Sequence, residues 1–314
     1  AACDWLWQDE TGVVSNVGFD ELPGAVDLGA AANCFIVSAP GNYKFKAVKG
    51  DGSAVDGVDG YVYFTAGAAK GNAVIAALVN RQVAWSWHIW RTDAPAEKEA
   101  AAGCTILDRN LGATSVTPGD VSSYGLYYQW GRKDPFFYDG IPSGGVVTGV
   151  VSDQMYGWQS NAYSPEVGGE DLSLYYSTVF PTAFFKGGYG TDNDWYGTGT
   201  GIENRNNNLW GNPENGLGNK SIYDPCPVGY RVPPQAAYNN FSNPNYKNFG
   251  CTFKGAEDLF FMGAGYLTYS SGVIGGKGYG NKYSLTYWTT NTSDINAISM
   301  RYDPPVSSPS AYFS

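Results

Sequence analysis

Apolar residues in the first ninety positions come in short runs broken by turn-forming residues, which predicts strands rather than helices. Residues 32–48 hold two such runs, split by Ala39-Pro40-Gly41-Asn42. In the second, Tyr43, Phe45 and Ala47 alternate with Asn42, Lys44 and Lys46, the period of a half-solvated strand. Residues 61–65 and 73–78 predict two further strands. Residues 83–90 (VAWSWHIW) close the set, with Trp85, Trp87 and Ile89 on one face and Ser86, His88 and Trp90 on the other. Large apolar groups on both faces predict a central strand or one covered on both sides. Residues 1–92 are therefore expected to form a small β-sandwich domain. Residues 93–103 read as a polar connector in which Pro95 limits any helical turn.

Beyond the connector the texture changes. Residues 122–130 (SSYGLYYQW) place Leu126 and Trp130 four apart behind a cap at Asp120 or Ser122. This predicts a helix of about two turns, ended by Lys133-Asp134-Pro135. Residues 233–241 (PPQAAYNNF) predict a second helix, because Pro is tolerated in a first turn and Gln-Ala-Ala propagates well. About a hundred residues rich in Gly, Asn, Tyr and Ser lie between them, and loops that long are usually functional. Residues 259–269 and 283–302 alternate in strand fashion. The expected fold class is mainly β, with an α+β second domain over residues 104–314.

Composition narrows the function. The chain has 314 residues, a net charge of −10, 15% charged and 16% aromatic residues, and 42 glycines. That is too aromatic for disorder and too poor in charge for a helical bundle. The acidic balance, with no basic run, speaks against nucleic acid. No apolar stretch approaches the length of a membrane span. No leader stands before Ala1, so the sequence is expected to be that of a mature or trimmed chain; Cys3 reads as an ordinary strand cysteine rather than a lipidation site. The five cysteines, Cys3, Cys34, Cys104, Cys226 and Cys251, lack CxxC spacing, which argues against zinc.

Four segments, in order, resemble one family: Leu107-Asp108-Arg109-Asn110-Leu111-Gly112-Ala113, Tyr128-Gln129-Trp130-Gly131-Arg132-Lys133-Asp134-Pro135-Phe136, Asn207-Asn208-Leu209-Trp210, and Asp224-Pro225-Cys226-Pro227-Val228-Gly229-Tyr230-Arg231-Val232-Pro233. They resemble the Fibrobacter succinogenes major paralogous domain of Bacteroidetes surface proteins and fimbrial tip adhesins. Tyr287-Trp288-Thr289-Thr290 with Asn296-Ala297 is similar to its late strand. The resemblance implies a C-type-lectin-like fold over residues 104–314, with two helices on a mixed, strongly looped sheet. Residues 32–90 likewise resemble the β-domain that often precedes this module. The resemblance also implies a last strand carrying an Arg and then a Cys that pairs with the equivalent of Cys226. The sequence reaches Ser314 without it, so Cys226 is expected to lack that partner and the natural chain to continue. Residues 5–20 resemble a segment expected between Gly52 and Tyr61, which suggests permutation, a second module copy or a sequence assembled out of order. Trp130, Trp210 and Trp288 are expected to be mostly buried anchors. Arg109 and Arg231, set among apolar residues, need buried acceptors such as backbone carbonyls, Asp108 or Asp134.

The candidate chemistry favours binding over catalysis. His88 is the single histidine and sits between tryptophans on a strand, where packing is the expected role. Formylglycine-generating enzymes share the C-type-lectin-like fold and use a cysteine pair, but no two of Cys104, Cys226 and Cys251 are close in sequence. Asp192, Asn193 and Asp194 offer oxygen ligands that suit calcium, and Trp195 and Tyr196 offer rings that suit a sugar; an Asx-rich turn is the plainer reading. No other cofactor is expected. Loops 187–201 and 269–282, Gly- and Tyr-rich, are the expected recognition surface, with Tyr279 as a further contact, unless they pack on one another. The expected function is an extracellular, surface-associated or fimbrial adhesin that binds a glycan or a surface protein. A structural pilus or fibre subunit and a formylglycine-generating-like enzyme are the alternatives.

Overall fold

The computed structural model describes residues 3–8, 14–16, 33–38, 46–47, 64–65, 70–79, 82–136, 142–143, 146–147, 174, 177–178, 180–181, 184–185, 195–196, 206–211, 220–269, 274–276, 284–293, 297–303 and 311–313. The protein is mainly β with few helices, in small, mostly antiparallel sheets.

The largest sheet has five strands: β1 (Cys3–Gln8), β2 (Val14–Asn16), β3 (Asn33–Ser38), β6 (Gly71–Val79) and β7 (Gln82–Asp93), in the order β2-β1-β7-β6-β3. β7 lies between β6, antiparallel, and β1, parallel, so the segment containing Trp5 is placed directly beside the strand containing His88. The expectation of a central strand for residues 83–90 holds, since residues 85–90 are buried throughout. β4 (Lys46–Ala47) and β5 (Phe64–Thr65) form a separate antiparallel pair. Residues 93–103, expected as a connector, carry β8 (Glu97–Glu99), which turns through a 3-10 helix at Ala101–Gly103 into β9 (Thr105–Leu107) as an antiparallel pair.

The buried face of β7 is welded to residues 107–134. Tyr128 donates its hydroxyl to His88 Nδ1 (3.1 Å), His88 Nε2 donates to Asn72 Oδ1 (2.9 Å), and Asn72 Nδ2 donates to the Gly112 carbonyl (2.7 Å). An amide oxygen only accepts, so this chain runs in one direction and holds the imidazole neutral with its proton on Nε2. Trp90 donates to the Ala113 carbonyl (3.0 Å) and packs against Leu107 and Leu111. Lys133 reaches both Asp134 oxygens (2.8 Å each), the Ser86 carbonyl (3.0 Å) and the Ser86 hydroxyl, with its ammonium 4.6 Å from the centre of the Trp85 ring. Ser86 donates to Asp134 at 2.6 Å. All three groups are buried, so each charge depends on the others for its compensation.

Both expected helices shrink to single turns. Asp120 does cap Ser122 (2.9 Å), but the 3-10 helix covers only Val121–Ser123. Gly125 then takes φ +77°, Leu126 N–H turns to the Leu111 carbonyl, and Tyr127 bridges to Phe136. The second turn covers Gln235–Tyr238 and delivers Tyr238 and Phe241 into the core, their ring centroids 5.4 Å apart. In both places tertiary partners outbid the local helical preference.

The core of the second half joins that turn to two three-stranded sheets. One contains β12 (Ser242–Lys247), β13 (Gly250–Lys254) and β14 (Ala256–Met262); the other contains β17 (Leu285–Thr292), β18 (Ala297–Tyr302) and β19 (Ala311–Phe313). Short pairs β10 (Pro142–Ser143) with β11 (Val146–Val147), and β15 (Tyr266–Leu267) with β16 (Ile274–Gly275), complete the described strands. Phe241, Phe253, Phe261, Leu285, Met300 and Tyr302 form one buried cluster. Cys251 lies within it and burial pushes its thiol up to about 12. Cys104, Cys226 and Cys251 are not joined to one another by disulfides. Among the described residues no helix is long and apolar enough to cross a membrane.

Candidate functional site

Alternation along β17 and β18 creates two unlike faces. Leu285 opposite Tyr302 and Tyr287 opposite Met300 look into the core just described, with Tyr287 at its edge and also touching the cavity. Thr286 opposite Arg301 and Trp288 opposite Ser299 look the other way and line a cavity of about 590 Å³. Residues 107–111, 124–130, 225–226, 230–233, 259–262 and 264–267 supply other parts of its walls.

Aromatic rings form much of the wall, and several of their polar tips are already engaged. Trp288 donates to the Tyr128 carbonyl (2.9 Å), Trp130 to the Thr289 carbonyl (2.9 Å), and Tyr127 to the Ala264 carbonyl (2.5 Å). Tyr128 is bound to His88, and Tyr230 donates to Glu97 (2.7 Å). Tyr287 donates to the Met262 carbonyl (3.0 Å) and accepts from Asn110 (3.1 Å). Burial, reinforced by Glu97, pushes the Tyr230 phenol up to about 12, so it stays neutral. Where a tip is held by the scaffold, its ring face is what that residue offers the cavity. Tyr269, 52% exposed, stands on the solvent side of the cavity. Thr286 Oγ1, on a wall residue, is buried without a hydrogen-bond partner among the described residues.

The frame behind these walls comes from the motif residues. Asp224 accepts from the backbone of Cys226 (2.8 Å) and Val232 (2.9 Å) and from Lys220 (2.7 Å), which shapes the Pro-rich loop. Arg132, buried, donates to Gln129 (2.9 Å) and the Pro181 carbonyl (3.2 Å) and lies 4.8 Å from the Phe185 ring centre. Its guanidinium pKa is lowered to about 10 by burial, against the pull of Asp134. Gly131 has φ +84°, and a Cβ there would meet Leu209 at 2.5 Å. Arg109 finds Asp108 as expected (2.7 and 3.2 Å), whereas Arg231 reaches Thr290 (3.4 Å) and Asp134 serves Lys133.

The expected site residues fare unevenly. Asp192, Asn193, Asp194 and Tyr279 lie outside the described residues. Trp195 and Tyr196 are buried, in a cluster with Phe185 and Leu209; Trp195 donates to the Trp130 carbonyl (2.7 Å). Trp195 is thus a core anchor whose edge reaches the cavity, not a loop residue outside the core. Trp210 is 1% exposed, while Trp130 and Trp288 are only partly buried because they line the cavity. Sequence reasoning read these motifs as scaffold and missed that they enclose a cavity; the signal was the density of Tyr and Trp within them. Among the described residues no group of three His, Cys, Asp or Glu side chains is placed to hold a metal. No known family model matches the chain, no curated protein matches its sequence, and no solved structure matches its fold.

Proposed function

We propose that the protein is a non-catalytic, extracellular recognition module, an adhesin or surface subunit, that binds a glycan in the ring-lined cavity. The observation that carries this reading is the cavity wall, where tyrosine and tryptophan tips are held by the scaffold and their faces remain. Ring faces complement the C–H faces of pyranoses. The single histidine is committed to a buried structural chain, which removes the commonest general base from the cavity. The motif resemblance supports a C-type-lectin-like second domain whose two helices are reduced to single turns, preceded by a β-sandwich domain that includes the five-stranded sheet.

A glycan array probed with the whole chain tests the proposal. Tyr269→Ala, at an exposed wall position, is expected to weaken binding by about 1–3 kcal/mol with folding intact. Absence of any bound glycan from a cooperatively folded protein, or affinity indifferent to this substitution, would place its function elsewhere.

A further inference from the structure

Two wall segments, residues 107–111 and 124–130, are held from behind by β6 and β7 of the five-stranded sheet, although among the described residues no part of either strand lines the cavity. Asn72, on β6, donates to the Gly112 carbonyl (2.7 Å). A Cβ on Gly112 would stand 3.2 Å from Asn72 Oδ1 and 2.5 Å from the Leu126 side chain, so the turn after residue 111 is clamped between Asn72 and Leu126. Trp90, on β7, donates to the Ala113 carbonyl (3.0 Å) and packs against Leu107 and Leu111, both wall residues. His88, also on β7, is bonded to Asn72 (2.9 Å) and to the hydroxyl of Tyr128 (3.1 Å). The carbonyl of Tyr128 in turn receives the indole N–H of Trp288 (2.9 Å). One line of hydrogen bonds thus runs from β6 through a wall residue to β17. Asn72 and His88 are buried, where an intact hydrogen bond fixes a side chain firmly and a broken one is costly.

We infer that Asn72 and His88 are positioning residues for the cavity. They lie outside the wall, yet they fix Tyr128 and, through its carbonyl, Trp288, so recognition by the second half of the chain depends on the first sheet. What the wall receives rests on the glycan reading; how the wall is held rests on the hydrogen bonds alone. A wall held this way has less freedom to lose when it closes on a ligand. Residues that merely stabilised the fold would change Tm and leave the affinity of the folded molecules untouched.

The test uses the whole chain and two measurements: calorimetry with the oligosaccharide that a glycan array retains most tightly, and hydrogen exchange of tryptophan indole N–H groups without ligand. Tyr128→Phe removes one hydroxyl and keeps the ring, and His88→Phe keeps a ring and removes both of its hydrogen bonds. Each is expected to weaken binding about tenfold, the effect of one buried hydrogen bond. The double variant should bind no more weakly than the weaker single one, because both changes break the same link. His88→Gln, which still offers a donor and an acceptor, should stay within about threefold of the unsubstituted protein. Without ligand, the Trp288 indole N–H, identified by Trp288→Phe, should exchange about tenfold faster in Tyr128→Phe. The indole N–H of Trp210, held by the Arg132 carbonyl (3.2 Å), should not change, whereas a general loss of stability would speed both. Tyr128→Phe alone carries the test where His88→Phe does not fold. Affinity unchanged in Tyr128→Phe, additive losses in the double variant, or equal acceleration at both indoles overturns the inference and leaves the glycan reading standing. Failure of every glycan to bind the unsubstituted protein overturns the glycan reading, and the contrast between Trp288 and Trp210 then decides the positioning role: acceleration at Trp288 alone supports it, and no contrast overturns it.

Discussion

Protonating His88 should unfold this protein from within. The imidazole is fully buried, and that burial lowers its pKa from 6.5 to about 3. Both ring nitrogens are engaged, Nε2 donating to the Asn72 amide oxygen and Nδ1 bonded to the Tyr128 hydroxyl, and burial disfavours the charged form. In the unfolded chain the imidazole takes up a proton as pH falls through 6.5, whereas the folded one does not until about pH 3. Stability is therefore present above pH 6.5 and lost as pH falls between those values, at about 1.4 kcal/mol per pH unit. From pH 7 to pH 5 the loss is about 2 kcal/mol, in a window above the range where ordinary carboxylates titrate. Urea unfolding followed by tryptophan fluorescence at both pH values measures it. His88→Gln keeps an amide donor and acceptor but cannot titrate, so its stability should be nearly flat over the same interval. As the protein has one histidine, its imidazole NMR signals need no assignment and should not move between pH 7 and pH 5. A titration centred near 6.5, or an equal loss of stability in His88→Gln, would refute the reasoning.

Lys133→Met should cost about 3–5 kcal/mol in chemical denaturation, because it strands Asp134 in a buried site, and Lys133→Met with Asp134→Leu should recover most of that. Trp195→Ala should destabilise by about 3–5 kcal/mol and lower Tm clearly, since the ring fills the cluster with Phe185 and Leu209 and holds the Trp130 carbonyl. Gly131→Ala should cost about 1–3 kcal/mol by the same assay, from a left-handed backbone and a clash with Leu209. Tyr269→Ala should leave Tm unchanged within the small range of surface substitutions, so any loss of glycan binding it causes belongs to the site.

Strands were legible where two faces impose a period. Residues 83–90 and 283–302 show alternation that the structure realises in the strands β7, β17 and β18. The helices were misread because Leu126 and Trp130 have helical spacing but are held by partners far away in sequence, the Leu111 carbonyl and the Thr289 carbonyl. Lys133-Asp134-Pro135 reads as a helix stop, yet residues 131–134 are all buried. The partners that make burial tolerable, Ser86 for Lys133 and the Ser177 and Pro181 carbonyls for Arg132, lie 45 to 49 residues away.

The candidate site escaped sequence reasoning for a related reason. Motif residues were sorted into scaffold or site, but in this protein a single residue both ties the frame and lines the cavity. The indole N–H of Trp288 ties β17 to residue 128, while the face of the same residue lines the cavity. Tyr127 and Tyr128 divide their tips and faces in the same way. A ring fixed at its tip enters a complex with little rotamer freedom left to lose, so anchoring and recognition reinforce each other. The same economy limits what mutation can show. Trp288→Ala removes a wall and a strand tie together, so its loss of binding would not separate contact from collapse. Discrimination has to come from side chains that face the cavity without holding the frame. Tyr269 contributes exposed ring, so this position, rather than the conspicuous tryptophans, is where a test of the cavity begins.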